Sequence, residues 1–126
     1  MSRSIRLELA LRSTVTMTDD TNEEWPPPAA RLRSIVWRAE GHLERSEFVA
    51  ASRSLAEGFG LGEDELLHGL HHLAAAGHRA QSGELDRARR QLERARRRLA
   101  PYPDTTSLVA AVEAVVESAD AEGKLE

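Results

Sequence analysis

The run from Leu66 to Leu99, LLHGLHHLAAAGHRAQSGELDRARRQLERARRRL, reads as two amphipathic helices folded back on each other across Ser82-Gly83. Leu66, Leu67, Leu70, Leu73, Ala74 and Gly77 recur at spacings of three and four, as do Leu85, Ala88, Leu92, Ala95 and Leu99, so each segment presents one apolar stripe. Two stripes separated by a Ser-Gly turn can cover each other only as an antiparallel hairpin. Gly69 and Gly77 lower helix propensity inside the first of these segments, and their presence predicts that another backbone comes close, in tight packing against the neighbouring hairpin.

Aromatic residues make up only 4% of the 126 residues, so Leu, Val and Ala must build the core, which favours packed helices over a sheet. The expected fold is all-α: a single compact bundle of about five helices, formed by two antiparallel, tetratricopeptide-like hairpins and a C-terminal capping helix. The first helix follows the triple proline Pro26-Pro27-Pro28 and runs from Ala29 to near Glu44, with Leu32, Ile35, Val36, Ala39 and Leu43 inward. The second spans about Glu47 to Glu57 and ends at the glycines 58, 60 and 62, while the third opens on Glu63, Asp64 and Glu65, acids suited to a helix N-terminus. The fourth runs from Glu84 to Ala100 and is stopped by Pro101-Tyr102-Pro103. Asp104 or Thr105 is placed to cap a fifth helix carrying Leu108, Val109, Val112, Val115 and Val116. SEFVAASRSL (46–55) echoes GELDRARRQL (83–92), each opening the second helix of a pair.

The domain limits follow from composition. Residues 1–28 read as a disordered N-terminal arm with a Pro-rich end, of which 1–16 are either an upstream extension or a start-site artefact ahead of the polar stretch that begins at Met17. Residues 29–118 form the helical domain and 119–126 a frayed acidic tail. No apolar run approaches the roughly 20 residues of a membrane span. The chain lacks Cys, which removes disulfides, thiolate nucleophiles and Cys-based metal sites and fits a reducing, cytoplasmic setting.

Residues 45–102 resemble the small bacterial and archaeal family called domain of unknown function 309. The resemblance rests on Leu66-Leu67-His68-Gly69-Leu70 and on the Ala-x-x-x-Leu-x-x-Ala pattern of Ala88 to Ala95. The family's F-x-A-H-E-x-L-E-x-x-W motif falls on Phe48 to Gly58-Phe59, but Ser52 and Arg53 stand in place of its His-Glu pair and Ala56 in place of its second acid. The resemblance implies an all-helical fold and brings no activity with it.

Four histidines, His68, His71, His72 and His78, lie on the third helix. Its periodicity puts His68 and His72 one turn apart beside Glu65, whereas His71 and His78 flank the apolar stripe. Glu65, His68 and His72 are therefore the candidate ligands of a divalent metal such as zinc, the alternative to a protein with no cofactor. HExxH is absent because Gly69 follows His68, so the base of a zinc hydrolase is missing. GFGLG (58–62) follows a helix rather than a strand and is a connection, not a dinucleotide loop. Ser52 has no His or acid partner nearby in sequence, and Trp25, Trp37 and Tyr102 read as packing or boundary residues.

The fourth helix carries seven arginines against Glu84, Asp86 and Glu93. Arg87, Arg90, Arg94 and Arg97 are the candidate partner-binding residues, since guanidinium forks pair with carboxylates and phosphates. Against this, Asp86–Arg90 and Glu93–Arg97 have i,i+4 spacing, and the acidic C-terminal segment can lie alongside the helix. The net charge of −4 and the scarcity of aromatic platforms argue against nucleic acid. The expected role is a non-catalytic helical scaffold or protein-binding module, with a metal-dependent hydrolase-like or metal-binding protein using His and Glu of the third helix as the alternative. A second copy of the chain is one candidate partner, because the fifth helix is apolar over most of its circumference.

Overall fold

The computed structural model describes residues 25–125, so the expectations for residues 1–24 lie outside the described residues. Five helices follow in order: α1 (Pro28–Glu44), α2 (Phe48–Ala56), α3 (Asp64–Gln81), α4 (Leu85–Leu99) and α5 (Thr106–Leu125), with a 3-10 turn at Pro103–Thr105. No strand occurs among the described residues, and the chain is an all-α bundle as its periodicity predicts. Proline at the first position of α1 has no N–H to leave unpaired, and its fixed φ suits helix entry.

α1 pairs with α2 and α3 with α4, while α3 touches all four other helices and occupies the centre. Its composition explains that place. Leu67, Leu70 and Leu73 are fully buried, and the small residues Gly69, Ala74, Ala76, Gly77 and Ala80 let neighbours approach from several sides. A Cβ on Gly77 would sit 2.4 Å from the ring of Phe48 on α2, so this glycine is the floor on which the two hairpins meet. Gly69 differs from expectation. A Cβ there would meet Leu99 at 2.6 Å, on α4, so it closes its own hairpin rather than the contact with the neighbouring one.

α5 lies against α1, α3 and α4 through Leu108, Val112 and Val116, and so caps both hairpins. Two features depart from the sequence reading. Neither Asp104 nor Thr105 caps α5. The Thr105 hydroxyl donates to Tyr102 O (2.7 Å) and that of Thr106 to Pro103 O (2.8 Å), which closes the 3-10 turn and carries the chain directly into the helix. The helix then continues past Ser118 to Leu125, where a frayed tail was expected. Ala119 packs on the core and Asp120 accepts a hydrogen bond from Arg89 at 3.0 Å, contacts that hold the extra turns in place.

Candidate interaction surface

The apolar stripe of α4, Ala88, Leu92, Ala95 and Leu99, faces inward, and the polar residues divide around it by the 3.6-residue period. One flank faces α5. There Arg89 pairs with Asp120 (3.0 Å) and Arg96 with Glu113, seven residues apart on each helix. The acidic C-terminal segment does lie beside α4, as the charge pattern suggests.

The opposite flank faces α3 and is laced in the same way. Glu65 Oε1 accepts from Arg98 Nη1 (3.0 Å), His72 Nδ1 donates to Gln91 Oε1 (2.7 Å), and Arg79 Nη1 donates to Glu84 Oε2 (2.7 Å). On α3 these residues step by seven upward and on α4 by seven downward, the register of an antiparallel pair. Because they are half exposed, such polar pairs fix register more than they add stability.

Between the two flanks runs the outer face of α4, occupied by the four arginines named from the sequence. Arg87 shares Glu84 with Arg79 (3.2 Å), and Arg97 Nε lies 3.4 Å from Glu93 with three quarters of its side chain exposed. Arg90 and Arg94 are exposed and have no ion pair among the described residues. The expected Asp86–Arg90 pair is not formed, whereas Glu93–Arg97 is. Arg94, Arg97 and Arg98 also line a shallow concavity together with His72.

Glu65, His68 and His72, the candidate metal ligands, are each turned to a different neighbour. Glu65 holds Arg98, His72 holds Gln91, and the His68 ring stacks on Phe59 at 4.8 Å between centroids. Among the described residues no group of three His, Asp or Glu side chains is arranged to hold a metal ion. Adjacency on the helix surface placed them side by side, but partners on α4 and the α2–α3 loop take them separately.

One polar contact escaped the sequence reading. Ser52 Oγ and His71 Nε2 are hydrogen-bonded at 2.9 Å across the α2–α3 interface, beneath Phe59, whose ring lies 5.8 Å from that of His71. Burial lowers the His71 pKa, and the neighbouring His72 and His68 lower it further, so the ring is neutral at pH 7. No carboxylate bonds to His71 among the described residues, so the imidazole has no acid to orient it as in a catalytic triad. No signal in the sequence pairs residues 52 and 71; only the hairpin-to-hairpin register does.

No helix among the described residues is long and apolar enough to cross a membrane. No family model matches the chain, and comparisons with curated proteins and with solved structures return no match.

Proposed function

We propose that this chain is a non-catalytic helical module that binds an acidic surface of a partner protein through the outer face of α4. The observation that carries this reading is the division of labour on α4: both flanks are engaged by α3 and α5, while Arg90 and Arg94 face solvent without a carboxylate. An internal role would pair them. Arginine forks on a rigid helix are pre-oriented for bidentate contact with carboxylates or phosphates, and a helix held on both sides loses little freedom on binding. The paired hairpins and their internal echo support a tetratricopeptide-like scaffold, and the resemblance to domain of unknown function 309 supports the same all-helical reading. The absence of Cys fits a cytoplasmic setting.

The test is quantitative capture from extracts of the source cell on immobilised full-length chain and on the triple variant Arg90→Glu, Arg94→Glu, Arg97→Glu. The wild type should retain a partner at about 50 mM salt and release it near 500 mM, as screening of exposed charges requires. The triple variant, with unchanged circular dichroism, should not retain it. Equal retention by both proteins refutes the proposal.

A further inference from the structure

Three arginines and a histidine, Arg94, Arg97, Arg98 and His72, line a concavity bounded by α3 and α4. Two of the guanidiniums are already steadied, Arg98 by Glu65 and Arg97 by Glu93. A carboxylate takes at most two of the five N–H groups of an arginine, so each retains donors for a ligand. Arg94 keeps all of its own. Three positive groups against two carboxylates leave an excess of one positive charge. His72 Nδ1 is committed to Gln91 Oε1, which fixes the ring at the rim of the concavity.

We infer that this concavity recognises the phosphate of a phosphorylated serine or threonine on the partner protein, an inference that rests on the binding role of α4 proposed above. The dianionic charge of a phosphomonoester suits a site with an excess of arginine charge, and its three terminal oxygens need donors from more than one direction. Here three guanidinium groups supply them. A carboxylate offers two coplanar oxygens and a single charge, and so uses only part of this set. Nucleic acid fits less well, because no Phe, Tyr or Trp lines the concavity, and Asp86 and Glu93 are exposed on the same helix.

The experiment titrates the ¹⁵N-labelled full chain with a short peptide bearing one phosphoserine and uncharged ends, and with its glutamate and serine counterparts. The arginine Nε–H and histidine ring signals are followed. The phosphopeptide should bind about tenfold more tightly than the glutamate peptide and move the signals of Arg94 and His72. Arg94→Gln should weaken phosphopeptide binding about tenfold, whereas Arg38→Gln, on α1 and outside both the concavity and the α4 face, should change it by less than about threefold. Equal affinity for phosphoserine and glutamate peptides, or indifference to Arg94→Gln, overturns the inference. Saturation by none of the peptides up to about 10 mM also overturns it. In that event a partner still lost from the triple variant leaves the binding role of α4 standing. A phosphopeptide that binds with a partner still captured by the triple variant refutes that role instead.

Discussion

At the α1–α2 turn, Ser46 N donates to Leu43 O and Glu47 N to His42 O. At the α3–α4 turn, Gly83 N donates to Ala80 O and Glu84 N to Arg79 O, in the same pattern. Both are Schellman closures, with the left-handed position filled by Ser46 (φ 60) in one and Gly83 (φ 81) in the other. The side chains repeat the correspondence, since Glu47 pairs with His42 and Glu84 with Arg79 across the turn. Beyond the turn the hairpins diverge. α2 is nine residues of mostly small and apolar side chains, whereas α4 is fifteen and dominated by arginine. A shared backbone device thus sets the architecture twice, and the following helix decides which hairpin presents a charged face outward.

The largest expected difference between the hairpins is at the first position of their second helices. Phe48 is buried between the hairpins and Leu85, its counterpart, only partly so. Phe48→Ala should cost about 3–5 kcal/mol in urea unfolding and Leu85→Ala about 1–2 kcal/mol. Equal losses would mean that the hairpins do not meet at Phe48. Next in size, Gly77→Ala should destabilise by about 1–2 kcal/mol, since overpacking against the Phe48 ring outweighs the roughly 1 kcal/mol gained in helix propensity. Gly41→Ala, whose new methyl would meet only the movable Arg45 guanidinium, should stabilise by up to about 1 kcal/mol.

The turns themselves provide a smaller, signed test. Ser46→Gly should raise stability by about 0.5–1 kcal/mol and Gly83→Ser should lower it by about 1 kcal/mol, because a side chain in the left-handed region carries that strain. Smallest are the two turn carboxylates. Glu47 has its pKa lowered by hydrogen bonds from His42 and then Arg45, and Glu84 by that from Arg79. A folded-state pKa below the unfolded value gives stability that is complete above the ordinary carboxylate range. It is lost as pH falls through the folded-state value. In carboxylate NMR titrations, Arg79→Gln should move Glu84 back up toward the ordinary range. His42→Gln should move Glu47 only part of the way, because Arg45 remains.

Much of this was legible in the sequence because the information was periodic. Leu and Ala at spacings of three and four located four helices to within about a residue or two, and the same wheel placed Arg87, Arg90, Arg94 and Arg97 on one outward face. The end of α5 was not legible, because Ala119 to Leu125 carries no apolar stripe and is held by a contact to α4. The Ser52–His71 and His72–Gln91 bonds were hidden for a related reason: each depends on which faces of two helices meet and in what register. Glu65, His68 and His72 show the converse. Their adjacency along one helix is real, but competing neighbours decide what each side chain does.

The polar pairs between α3 and α4 repeat at seven residues, whereas a helix sliding along its neighbour moves most easily by one turn of three or four. A slip of that size would misalign Glu65–Arg98, His72–Gln91 and Arg79–Glu84 together. The hairpin is therefore indexed like a vernier scale, with one setting at which every mark coincides. Arg94 and Arg97 inherit that setting, so the spacing they offer a visitor is fixed before it arrives.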